Sequence, residues 1–131
     1  MNSRNLLALL AVGALLGCRP DPAPITGKEW RVAAINDLVN PVGAGGRPLT
    51  IRFHDSTGSA YGYAGCNQYN ARYSVTGDSL SFGVTNSSRM ACAESDSLEA
   101  LFLQALPKVQ HYSFTDSHLV LTGEGTAIRL R

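Results

Sequence analysis

Residues 69–84 read YNARYSVTGDSLSFGV, Tyr69 to Val84. Tyr69, Ala71, Tyr73 and Val75 alternate with polar residues, which is the two-residue period of a half-buried strand. Thr76-Gly77-Asp78-Ser79 interrupts the pattern with tight-turn chemistry. Alternation then resumes with Leu80, Phe82 and Val84 on one face. Two such runs around a Gly-Asp turn predict a β-hairpin, and this hairpin sets the expectation for the rest of the chain.

Upstream, the same reading gives shorter strands. Glu29–Ile35 (EWRVAAI) places Trp30, Val32 and Ala34 on one face. Asn36 to Arg47 holds Pro41, Gly43, Gly45 and Gly46 and reads as a loop. In the run from Leu49 to His54, Leu49, Ile51 and Phe53 point in, and Thr50, Arg52 and His54 point out. Asp55 to Gly58 is a turn, and Ala60 to Ala64 a short strand.

Downstream, the period changes. Leu98, Leu101, Phe102, Ala105 and Leu106 fall at i, i+3, i+4, i+7 and i+8, one face of a helix. Asp96 is placed as its N-cap, Glu99 as the partner in a capping box, and Pro107 as its end. Val109 to Phe114, His118 to Thr122 and Ala127 to Leu130 read as three closing strands. The expected class is α+β, mostly β: a curled antiparallel sheet or partly open barrel of about seven or eight strands. The single amphipathic helix packs on it.

The N-terminus carries a different signal. Arg4 precedes an apolar run from Leu6 to Leu16, which is eleven residues. A bilayer core needs about 20, so the run suits the core of a signal peptide instead. It ends in Leu15-Leu16-Gly17-Cys18, which looks like a lipobox, with Cys18 the lipidated residue. Residues 1–17 are expected to be a lipoprotein signal peptide. Residues 18–27, the lipidated Cys18 followed by Pro-rich RPDPAPITG, are expected to be a semi-rigid tether. The domain proper is residues 28–131. Arg19 stands where Asp would retain an enteric lipoprotein at the inner membrane, which favours the outer membrane in a two-membrane source.

Removing 17 of 131 residues leaves 114, one domain of ordinary size. Arg4 leaves with the signal, so the eleven Lys and Arg become ten, matching ten Asp and Glu. A near-neutral domain without a basic run argues against nucleic acid and against charge-driven membrane binding. The expected membrane contact is through lipid. Cys66 and Cys92 then remain as an even pair in an oxidising compartment. The simplest reading is one disulfide closing a loop of about 27 residues, worth roughly 3–4 kcal/mol in the chain-entropy model. The competing reading is two free thiols, one a nucleophile or ligand.

Three stretches share an order with a known family. They are Gly65-Cys66-Asn67-Gln68-Tyr69, then Ser88-Arg89-Met90-Ala91-Cys92 leading into the helix, then Val109 to Phe114 with Leu119-Val120-Leu121. With the early Trp30, this order resembles the META domain, the family that includes the HslJ proteins. Its members typically show a G-C-N-x-[YF] turn and a T-x-M-A-C segment. Here Ser88 replaces the Thr and keeps the hydroxyl. The resemblance implies a β-rich domain, often in exported or surface proteins, linked in some members to stress, with no reaction implied. The motif residues Gly65, Cys66, Asn67, Tyr69, Ser88, Met90, Ala91 and Cys92 read as architecture. Gly65 allows positive φ or close approach, Asn67 bonds its own backbone in a turn, and Tyr69 and Tyr73 are core. Both cysteines lie in shared motifs, which suits a bridge between the central hairpin and the start of the helix.

The catalytic signatures of serine hydrolases, phosphate-binding loops and zinc proteases are missing. His54-Asp55-Ser56 is turn composition. His111 and His118 flank an expected hairpin turn, but a metal site needs more ligands than they offer. No cofactor, metal or catalytic residue is expected. The functional expectation is a non-enzymatic binding or stress-related envelope module that contacts an envelope protein or ligand. The alternative is a thiol-active protein using Cys66 or Cys92, or a small-ligand binder with a barrel cavity.

Overall fold

The structure is a computed structural model that describes Gly17 and residues 24–131. Residues 1–16 of the expected signal peptide, Cys18 and most of the expected tether lie outside the described residues.

The central hairpin forms as expected. Its strands are β5 (Gln68–Thr76) and β6 (Ser79–Ser87), joined through Thr76↔Ser79. Gly77 holds φ +60°, the positive value that a two-residue hairpin turn needs. Around it lie β1 (Glu29–Ile35), β2 (Leu38–Val39), β3 (Thr50–His54) and β4 (Ser59–Tyr63). After it come helix α1 (Asp96–Ala105), then β7 (Val109–Thr115), β8 (His118–Gly123) and β9 (Thr126–Leu130). All pairings are antiparallel and join neighbours in chain order, except that β1 pairs with β3 past β2 and also pairs with β9.

That last pairing closes the sheet. β1 bonds β3 through its first half (Trp30↔Ile51) and β9 through its second (Ile35↔Ile128). The result is an eight-stranded closed barrel, with β2 outside it as a two-residue strand on β1. The curled, β-rich expectation holds, and closure is the added finding. The loop expected over residues 36–47 in fact contains β2 and a short 3-10 turn, Ala44–Gly46. The thinnest seam is β6 to β7, with the single register pair Ser79↔His111 and Tyr112 N–H donating to Asp78 O at 3.0 Å.

The interior is filled by side chains from every wall. Leu49, Ile51 and Phe53 meet Leu80, Leu119, Leu121, Ile128 and Leu130, all essentially inaccessible. Helix α1 packs at the Tyr69 end of β5, where Phe102 meets Tyr69 edge-on at 5.5 Å. Leu106, in the 3-10 turn after α1, is fully buried as well. Near the opposite end of β5, Ile25 is buried and accepts a 2.8 Å hydrogen bond from Trp30 Nε1.

Several positions depart from simple alternation. Val84 was expected inside but is 83% exposed. The register shifts between Ala71↔Thr85 and Tyr73↔Phe82, so β6 carries one extra residue there. Such a bulge flips the parity of everything beyond it, turning Thr85 in and Val84 out. A second shift, between Val32 and Ala34 of β1, buries Val32 through Ile35 without alternation. Thr50, expected outside, is buried: its Oγ1 accepts from Tyr63 N–H at 3.1 Å. Gly62 permits that crossing, because a Cβ there would sit 2.1 Å from Thr50 O. Val75 lies near the hairpin tip and is 41% exposed. Leu101 faces outward at 39%, and Leu103 packs against the core in its place.

Phe102 fills a site with no solvent access, so Phe102→Ala is expected to cost about 3–5 kcal/mol in urea unfolding. Tyr69 supplies a pH test. Its buried hydroxyl donates to Thr50 O at 2.8 Å, and burial holds its pKa well above 10.0. The native state keeps this proton where the unfolded chain has lost it. The stability it contributes is therefore complete below pH 10.0 and is lost as pH rises through the native value. Alkaline titration should show tyrosinate absorbance from Tyr69 appearing only with unfolding. Tyr69 ionising near pH 10 in the folded protein would contradict this.

Candidate functional site

The family-motif residues converge at one end of the barrel. The turn from β4 to β5 supplies Gly65, Cys66 and Asn67. The extended segment after β6 supplies Ser88, Met90, Ala91 and Cys92, and α1 supplies Glu99. Gly65 sits at φ +122°, a value open to glycine and costly for other residues. The same residue takes the close packing of Gly43, whose added Cβ would lie 2.2 Å from Gly65 O.

Asn67 is the centre of this group and is 2% exposed. Its Nδ2 donates to Met90 O at 3.0 Å and to Glu99 Oε1 at 2.7 Å. Its Oδ1 accepts from Ser88 Oγ at 3.0 Å and from Met90 N–H at 2.7 Å. Two donors and two acceptor sites are the whole capacity of an amide, and all four are used. Asn67 therefore bridges to residues 88–90 instead of bonding its own backbone, as the turn reading expected.

Glu99 also departs from expectation. Ser95, not Asp96, is the N-cap, and no capping box forms. Asp96 is the first helical residue, and its Oδ1 accepts from Cys92 N–H at 3.0 Å. The Glu99 carboxylate reaches across to the β4–β5 turn. Its Oε2 accepts from Cys66 N–H at 2.9 Å and Asn67 N–H at 2.6 Å, while Oε1 takes Asn67 Nδ2. An anionic acceptor satisfies two backbone donors that the turn leaves unpaired, a stronger arrangement than a neutral one. The sequence signal was the turn itself, whose N–H groups need a partner somewhere.

Cys66 and Cys92 are bonded as a disulfide, with Cα atoms 5.8 Å apart. The bridge joins two of the three segments that the Asn67–Glu99 network holds together. Chemically the group is a clamp: its thiols are consumed and its carboxylate is engaged by three donors. Ser88, Met90 and Ala91 are its exposed members.

The histidines lie elsewhere. His54 Nδ1 is within hydrogen-bond distance of Thr57 Oγ1 and Ser56 Oγ, within its own turn. His118 pairs opposite Thr115 and His111 opposite Thr122, so four residues of strand separate them along β7. That is about 13 Å at the usual strand rise. Among the described residues no three His, Cys, Asp or Glu gather as a metal-holding group.

Two outcomes test the clamp. Glu99→Ala strands two backbone N–H groups and is expected to lower stability by about 2–4 kcal/mol. Reduction of the disulfide should cost roughly 3–4 kcal/mol. Because both act on one cluster, a double-mutant cycle combining Glu99→Ala with Cys66→Ser and Cys92→Ser should be non-additive. Additive losses would show that the two fasten independent parts.

The sequence matches the META domain family over residues 23–131. No curated protein matches it. Among solved structures, an NMR structure of a protein from Burkholderia xenovorans is 23% identical, with a TM-score of 0.66, covering 99% of this chain and 97% of that one. A crystal structure of a DUF4847-family protein from Bacteroides vulgatus is 16% identical, with a TM-score of 0.55, covering 81% of this chain and 92% of the other. At these identities the likeness is one of fold. The family match spans most of the sequence, including both cysteine motifs and the closing strands, and the chain belongs to the META domain family.

Proposed function

We propose that this protein is a lipid-anchored envelope lipoprotein whose META domain works by binding, not by catalysis. The observation that carries the reading is Leu15-Leu16-Gly17-Cys18 at the end of a short apolar run, followed at once by a Pro-rich polar stretch. Among the described residues no helix is long and apolar enough to cross a membrane. A near-neutral domain needs another means of attachment, and acyl chains on Cys18 supply it, two or more being required for stable anchoring. Arg19 after the cysteine favours the outer membrane, with the domain facing the periplasm, in a source with two membranes.

The domain's chemistry supports the non-enzymatic part. A thiol mechanism needs a free thiolate, and Cys66 and Cys92 are joined. A lipocalin-like pocket needs an empty barrel, and this one is packed with Phe53, Ile51, Leu80 and Phe102. What remains for recognition is the outer wall and the motif end. A binding role on a small β scaffold is consistent with the way sites are carried by folds.

Replacing Cys18 by Ser should move the exported protein from the membrane to the soluble fraction. Retention of the variant after high-salt washing would refute the lipid anchor.

A further inference from the structure

The outer wall of the barrel carries a feature that neither closure nor the clamp requires. One cross-strand rung runs Arg52↔Tyr61↔Asn70↔Asn86 over β3, β4, β5 and β6. All four residues are exposed. Two shallow clefts of about 370 and 450 Å³ flank this rung and share Asn70 and Asn86 as their common border. Tyr61 and Gln68 line the first, and Arg72 and Val84 line the second.

The β6 bulge is what builds this wall. In a regular β6, Val84 and Asn86 would share the inward face of Phe82. The extra residue turns both outward and aligns Asn86 with Asn70. The local cost is visible. Val84 leaves the core, and Thr85 Oγ1 is buried without a hydrogen-bond partner. A sequence that accepts both losses at one place marks that place as a functional candidate.

We infer that these paired clefts are a binding site for a neutral glycan chain. Amide side chains offer adjacent donors and acceptors, which match vicinal hydroxyl and acetamido groups. The Tyr61 ring and the Val84 methyls offer apolar surface for the C–H faces of sugar rings. Among the described residues no Asp or Glu lines either cleft, and Arg72 is the one charged group that does. That balance suits an uncharged ligand and is too weakly basic for nucleic acid. A peptide strand would need a free backbone edge, and β4 and β5 are paired along both edges. Glu29 stands opposite Arg52 at the far end of the rung, away from the amides.

The site rests on the envelope reading only for where its glycan is met; binding itself does not depend on the anchor. Full-length protein purified in detergent is tested against peptide-free cell-wall glycan strands and an N-acetylglucosamine oligomer. Saturable binding to at least one is expected. Tyr61→Ala combined with Asn70→Ala should weaken it at least tenfold, with an unchanged unfolding midpoint because both side chains are exposed. Asn86→Asp, which adds a charge without shortening the side chain, should weaken it as well. Val39→Ser, away from these clefts, should leave it intact. The inference is overturned if neither probe binds, if the Asn86→Asp and double variants bind like the parent, or if binding requires peptide-bearing wall material. A Cys18→Ser protein that stays on membranes removes the anchor and leaves this result standing.

Discussion

Strand β1 is hydrogen-bonded along both of its edges, and the rest of the structure depends on that. A sheet that ended at β1 on one side and β9 on the other would present two open rows of backbone donors and acceptors. Pairing Ile35 with Ile128 removes both edges at once. The bulge between Val32 and Ala34 lets one strand turn from β3 toward β9 within seven residues. Closure then forces the inward residues of opposite walls into contact, which is why Leu49, Ile51, Leu119 and Leu130 lose all solvent access.

Closure leaves a weak seam and an open end, and α1 answers both. The helix and the turn after it lie between β6 and β7 in the chain, where the strands share one register pair. The turn after α1 lies against β6 with Leu106 fully buried, and Phe102 packs on Tyr69. The helix is held in place chemically as well. Glu99 binds the β4–β5 turn, Asn67 binds the segment leading to α1, and the disulfide joins the two. The family motif is thus a fastening, not a reaction centre: every strong group in it is already engaged by another.

The proposed binding role points outward. With the interior packed and the thiols bonded, recognition would fall to surfaces whose composition is not dictated by packing. The outer wall beside the β6 bulge is one such surface, because its residues are placed there at the expense of the core. The near-neutral charge of residues 18–131 is consistent with the proposed tether and with selection by shape and hydrogen bonding, with little long-range steering.

Much of this was legible in the sequence, because strand and helix periods are local. The hairpin around Gly77, the helix from its i, i+3, i+4 spacing, the closing strands and the family motifs all come from residues close together in the chain. The N-terminal eighteen residues state their own expectation in the same way. Closure of the barrel was not legible, since the β1–β9 pairing joins residues about a hundred positions apart and leaves no periodic trace. Nor were the two bulges, which break alternation only once a partner strand defines the register; Val84 read as inward, and Ala33 and Ile35 were not read as core, for that reason. Glu99 fits a capping box by spacing. Only the folded chain brings the unpaired N–H groups of Cys66 and Asn67 within its reach, and a carboxylate binds the strongest donors it can touch.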